Sequence, residues 1–307
     1  MTIQSARTRA AVSAVRDGAP NLERSGLDIK AELFRALLLL CVLIGIVTLA
    51  VLLIFVTVRG WPRLDLNLFT QMPSTIDPTK SGFFPAIVGT IYVMLGTLVT
   101  VVPLGVCSAI YLEEFANRDR WFNRILEVTI QNLAAVPSIV FGILGLAFLV
   151  RGPWGLGFVA LAGSLTLSMM VLPTIIISAR EAIRGVPSTL RDASIGLGAT
   201  KWQTTWRQVL PLSIPGILTG TILAMSRAIG ETAPLLLVGA TTFVRFLPQS
   251  MLEGAYSVIP VQIYQWASRP QDEFRVLATA GALVLVALLL LMNSGAIWLR
   301  AKFSREY

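Results

Sequence analysis

The sequence predicts an all-α, polytopic membrane protein with six transmembrane helices and a pair of short helices on the cytoplasmic side. Three observations carry that prediction. Of 307 residues, 55% are hydrophobic and only 14% charged, against about 25% charged in an ordinary soluble domain. Residues 36–58, 81–112, 128–150, 152–179 and 276–299 contain no Asp, Glu, Lys or Arg, and each exceeds the roughly 18 residues that mark a spanning segment. A sixth run, about 212 to 240, is interrupted only by Arg227 and Glu231.

The first apolar run begins near Leu37, behind a polar N-terminal tail (1–32). A signal peptide would place its apolar core nearer the start and follow it with a small-residue cleavage site. The stretch VLLIFVTVRGWPRL has no such site, so this run is read as a retained helix. The membrane domain then extends over 33–300, and 301–307 form a C-terminal tail. Residues 59–81, rich in turn formers, are expected to be an external loop. Residues 241–274 form a second external segment, amphipathic and aromatic, resting at the interface or dipping into the membrane. There Tyr264 and Trp266 are read as interfacial anchors. Neither an internal repeat nor a low-complexity tract is visible.

Six spans put both termini on one side. That side carries seventeen Lys and Arg residues, in the N-tail, segments 113–125 and 178–211, and the C-tail, against seven on the other. The positive-inside rule then places both termini in the cytoplasm. A basic inner surface facing anionic lipid accounts for the net charge of +8 without nucleic acid. The chain has no histidine, which removes His-based acid–base catalysis, Ser-His-Asp triads and His-ligated metal sites. Cys41 and Cys107 fall inside apolar runs and read as small buried apolar residues; a disulfide between them has no support.

The cytoplasmic stretch from about 180 to 211 is too polar to span and too regular for a loose loop. Pro187 suits a first helical turn. Leu190, Ala193 and Leu197 share one face at helical spacing. Gly198 can take positive φ and let the chain turn. Trp202, Trp206, Val209 and Leu210 make a second apolar stripe that ends at Pro211, where the next membrane run starts. Two short helices joined at Gly198 are expected, over 187–211. They either lie on the lipid surface or dock a cytoplasmic partner.

RDASIGLGATKWQTTWRQVLP resembles the cytoplasmic coupling motif of ABC-importer permeases: Glu-Ala-Ala, three residues, Gly, nine residues, an aliphatic, one residue, Leu-Pro. Here Asp192, Ala193 and Ser194 stand for the first three, Gly198 is the glycine, and Leu210-Pro211 close the motif. Gln208 stands where an aliphatic is expected, with Val209 beside it to fill the apolar role. GFFPAIVGTIYVMLGTLVTVVPLGVCSAIYLEEFA is similar to the opening of the permease core in phosphate importers, and MSRAIGETAPLL to the A-type permease subunits of bacterial phosphate ABC importers. The resemblance covers about residues 80–300. It implies the type I ABC importer permease fold, with Asp192, Ala193, Gly198, Leu210 and Pro211 coupling to an ATPase.

Arg227 and Glu231 are four residues apart, so on one helix face they can pair. An arginine at the bilayer centre costs about 2.5–3.5 kcal/mol on insertion scales, so it faces a partner helix or a watery path. Two readings stay open. The pair locks two helices together, or Arg227 lines a path and meets an oxyanion with its planar fork of donors. In the second, Glu231 holds the side chain and keeps the site from gripping too tightly, and Ser226 and Thr232 flank it. Gly216 and Gly220 give a small-xxx-small spacing lower on the same helix. Glu113 and Glu114 are read as a solvated loop. Arg180 and Arg184 are read as pairing locally with Glu181, and Asp272 and Glu273 as acids at a helix start.

The chain has no G-x-x-x-x-G-K-[ST] phosphate loop, so ATP is not expected to bind to it. No cofactor or metal is expected. The resemblance implies four kinds of partner: a cytoplasmic ATP-binding subunit dimer, a homologous C-type second permease subunit, an extracytoplasmic phosphate-binding protein, and the inner-membrane bilayer. ATP-driven closure would push the 187–211 segment, tilt the spans and open the path alternately to each side. A permease for another oxyanion, such as sulfate or molybdate, is the alternative. A membrane-embedded enzyme would need more convergent titratable groups than Arg227 and Glu231 supply, and a scaffold without a path would leave Arg227 dispensable.

Overall fold

A computed structural model describes residues 29–117, 120–240, 244, 246–248 and 250–303. Most of the N-terminal tail, residues 304–307, Arg118, Asp119 and Arg245 lie outside the described residues. Among the described residues the chain is helical, without strands. It divides into two units between Ile54 and Phe55.

Helix α1, Ile29–Gly60, begins with Glu32 in its first turn and has Arg59 in its last, each charge complementing the helix dipole. Its leucines, isoleucines and valines up to Ile54 are exposed, the surface a lipid-facing helix offers. Cys41, on α1, is free and exposed. So is Cys107 in the second unit, which corrects the expectation that these small apolar residues are buried.

In the second unit the 59–81 loop is ordered by its own polar groups. Asp65 caps the short α2 (Leu66–Thr70) by accepting from the Leu68 N–H at 3.1 Å. The hydroxyl and amide of Thr79 donate to Asp77 and lower its carboxyl below the ordinary carboxylate range.

The long α3 (Phe84–Ile110) ends in one turn of π-helix, Tyr111–Phe115. It lies along α6 (Ala160–Arg184), the most buried of the apolar helices. Small residues permit the approach. The Thr97 hydroxyl donates to the carbonyls of Val93 at 2.8 Å and Ser164 at 3.2 Å, and the hydroxyls of Thr100 and Ser168 lie 2.5 Å apart.

Between α3 and α6 the expected third span is not one rod. It is α4 (Trp121–Ala134) and α5 (Ser138–Leu144), the latter continuing as a π-segment to Val150. The two meet at 105°. Pro137 disfavours helical backbone at Val136 and cannot donate into a continuing ladder, so the helix stops there. With α1, α3, α6, α9 and α12, five helices are long and apolar enough to cross a membrane; the bent pair, counted as one, makes six.

After α6 come α7 (Ser188–Gly196) and α8 (Lys201–Thr204). A π-turn, Thr205–Val209, leads into α9 (Leu210–Gly230). The second short helix therefore does not end at Pro211; Pro211 sits in the first turn of α9, and the rod is continuous from Lys201 to Gly230. A Cβ on Gly216 would stand 2.7 Å from the Ala182 Cβ, and one on Gly220 2.6 Å from the Ser178 Cβ. The small-residue spacing thus clamps α9 against α6.

The chain closes with α10 (Ala233–Leu237), α11 (Ile259–Ala267) and α12 (Asp272–Phe303). Asp272 and Glu273 open α12 as expected. Trp266 does not reach an interface. It is 1% exposed and packs beside Phe83, Phe274 and Leu277. The α11 face that carries it is the inner one, while Tyr264 points outward and is exposed.

Candidate functional site

Arg227 lies in the last turn of α9, where a cation complements the dipole. Its side chain is 68% exposed, while that of Glu231 is 18% exposed. The two do not share a helix face: α9 ends at Gly230, and Glu231 follows in extended backbone. They still meet, with Nε 3.7 Å from Oε1, close enough for attraction but too long for a hydrogen bond. An exposed pair of that length contributes little to stability. Most of the guanidinium donors remain available.

The guanidinium edges a cleft built from three elements: the α4–α5 bend, α6 and α9. Leu133, Val136, Ser138, Phe141, Met170 and Thr174 line it with Arg227. Its volume is about 20 Å³, room for about one water, and Arg227 at its edge is exposed. Irregular backbone at membrane depth persists where it lines a cavity, and the bend does so here. Ser226 turns the other way: it is buried, and its Oγ has no partner. Thr232 lies past the helix end, its hydroxyl 3.4 Å from the Gly230 carbonyl.

At the far end of α9 the α7–α8 hairpin turns at Gly198, whose φ is +88°, a conformation that favours glycine. A capping box of Thr200 and Gln203 starts α8, and the hydroxyls of Ser194 and Thr204, 2.9 Å apart, tie the two helices together. Asp192 and Ala193 are exposed on α7. A groove of about 370 Å³ runs beside Leu190, Ala193, Leu197, Gln203, Arg207 and Gln208. Val209 and Leu210 instead pack inward against Ala109, Ile183 and Ile217, so Val209 does fill the apolar place beside Gln208. Trp202 and Trp206 stay exposed, with ring centroids 5.3 Å apart.

A third group escaped the sequence reading. Glu113 and Glu114 are not in a solvated loop; their side chains are 5% and 7% exposed. The π-turn at the end of α3 carries both. Arg180 and Arg184 do not depend on Glu181. Arg180 reaches Glu113 at 3.3 Å and Glu127 at 2.8 Å, and Arg184 holds both oxygens of Glu113 at 3.0 and 3.1 Å. Arg191 of α7 donates to Glu114 at 2.9 Å and to the carbonyls of Ile183 and Val186. These neighbouring ion pairs tie the ends of α3 and α6 to α4 and α7. The sequence signal was present, two acids closing an apolar run and three arginines over 180–191, but the partners stand 53 to 77 residues apart.

Residues 101–305 match the family described as binding-protein-dependent transport system inner membrane component. The chain is 33% identical to the phosphate transport system permease protein PstA of Haemophilus influenzae, covering 85% of this chain and 90% of that one. It is likewise 33% identical to the PstA of Xylella fastidiosa over 78% and 81%. A probable ABC transporter permease protein of Bacillus subtilis, YqgH, is 34% identical over 72% of this chain and 74% of that one. Among solved structures, a chain of a bacterial alginate ABC transporter aligns with TM-score 0.60 at 18% identity, covering 89% of this chain and 96% of that one. A chain of the MetNI methionine ABC transporter aligns with TM-score 0.56 at 17% identity, over 73% and 95%. At these identities the likeness is one of fold, that of type I importer permeases.

Proposed function

The chain belongs to the family of binding-protein-dependent transport system inner membrane components, and from that premise we propose that it is the permease subunit through which an ATP-driven importer moves inorganic phosphate across the inner membrane. The substrate rests on the two PstA relatives and on one observation, the underused guanidinium of Arg227. Its side chain is two-thirds exposed on an apolar helix, a position too costly to hold against lipid. A second, homologous permease subunit covering that face would turn the cleft into a closed, hydrated path between the two.

Phosphate oxygens suit the fork of donors. Glu231, at 3.7 Å, offsets the charge when the path is empty and weakens the grip on the anion, as a conducting site requires. The α7–α8 hairpin docks on a cytoplasmic ATP-binding subunit, with both termini on that side. An external binding protein delivers phosphate. The chemistry of ATP hydrolysis belongs to the partner.

Radiolabelled phosphate uptake tests the reading. Arg227→Gln protein, present in the membrane at normal amounts, should lose uptake; normal uptake would refute a path role. In wild-type cells a tenfold excess of sulfate or molybdate should leave phosphate uptake unchanged, whereas strong competition would favour the broader oxyanion reading. Docking is tested separately, since Gly198→Asp should abolish co-purification of the ATP-binding subunit.

A further inference from the structure

We propose that the hydroxyls of Thr174 and Ser138 form the neutral half of the oxyanion site whose charged half is Arg227; the proposal rests on the reading of Arg227 as the cation that meets substrate. The observation is one of exception. Helix α6 carries five serines and threonines, and in four the hydroxyl is spent on the helix itself. Ser164 donates to Leu161, Thr166 to Ala162, Ser168 to Ser164 and Ser178 to Ile175, at 2.7–3.1 Å. Such back-bonding is the ordinary fate of a hydroxyl in an apolar helix. Thr174 makes no such bond, and it lines the cleft with Arg227.

Thr174 follows Pro173, which lies inside α6 and cannot donate to the carbonyl of Met169. The helix is therefore already unsealed next to this residue. Ser138 faces the same cleft from the first position after the α4–α5 bend, and its hydroxyl has no partner among the described residues. Three elements thus each bring one polar residue to a cleft otherwise walled by Leu133, Phe141 and Met170. A small set of convergent polar groups in apolar walls is the composition of a selective ligand site. A tetrahedral oxyanion has more acceptor oxygens than one guanidinium can engage, and neutral donors add affinity without adding charge that would trap it.

The test uses whole cells carrying the complete importer and reads concentration-dependent phosphate uptake. Thr174→Val keeps the shape and removes the hydroxyl; Thr174→Ser keeps the hydroxyl and removes the methyl. Expected are a rise in KM of about tenfold for Thr174→Val, the scale of one hydrogen bond to a charged group, and a near wild-type KM for Thr174→Ser. Ser138→Ala should raise KM in the same direction. Equal damage from Val and Ser at position 174 would mark a packing role and overturn the proposal. So would wild-type KM values in Thr174→Val and Ser138→Ala while Arg227→Gln is inactive, a result that leaves the charged half standing. If Arg227→Gln transports normally, the underlying reading fails and this one with it. Should Thr174→Val be missing from the membrane, Ser138→Ala decides alone, because it lies on a different element.

Discussion

Two places where this chain puts charge into or beside its apolar helices are built on opposite plans. At the junction of α3, α4, α6 and α7, two carboxylates about 95% buried each receive arginines at 2.9–3.3 Å, and Arg191 adds two backbone carbonyls. Each arginine there meets at least one carboxylate. At the other end of α9, Arg227 has, among the described residues, a single long ion-pair contact of 3.7 Å and an exposed side chain. Saturated charges hold a structure together, and unsaturated ones wait for something. The cluster fixes the α7–α8 hairpin to the bundle; the long contact at Arg227 leaves a cation that the proposed function assigns to an anion.

That contrast can be broken by experiment. Arg191→Ala should have the largest effect on stability, about 3–5 kcal/mol, because it takes the arginine away from the buried carboxylate of Glu114. Unfolding of the detergent-purified protein would register it as a markedly lower midpoint, and an unchanged midpoint would contradict the structural role. Glu114→Gln keeps an acceptor for Arg191 but loses the charge, and should cost about 1–2 kcal/mol by the same measurement. Arg227→Gln should cost less than about 1 kcal/mol while uptake falls away, so the two readouts separate the two plans. Arg227→Lys retains the charge without the planar fork, and uptake should be intermediate. Glu231→Gln should barely change the midpoint; with the competing carboxylate gone, both KM and maximal uptake should fall. A rise in KM instead would mean that Glu231 only positions Arg227.

Much of this was legible because lipid imposes blunt rules. Charge-free runs long enough to cross a bilayer marked the spanning helices directly, and glycine spacing at 216 and 220 marked a close-packing face, though not that α6 is its partner. The turn at Gly198 followed from what only glycine tolerates. The bend between α4 and α5 was missed although Pro137 announced it, because an uncharged run of 23 residues reads as one span until its proline is weighed. Trp266 was misplaced because an aromatic next to charged residues looks like an anchor, and only the packing of α11 tells which face is inside. Glu113 and Glu114 were missed for a deeper reason: a carboxylate's burial is decided by arginines far along the chain. Of the cleft, Arg227 was readable and Thr174 and Ser138 were not, since nothing local distinguishes a spent hydroxyl from an unspent one.

Lys201–Gly230 is one unbroken helix of 30 residues, about 45 Å from end to end. The exposed tryptophans ride one tip and Arg227 the other, and between them Gly216 and Gly220 bear directly on α6. That bearing divides a lever into unequal arms, about 24 Å on the tryptophan side and about 14 Å on the arginine side. A tilt of about 10° would carry the guanidinium only 2–3 Å, about the length of one hydrogen bond. Under the proposed coupling, the fulcrum would scale a coarse push down to the stroke needed to release a single ion.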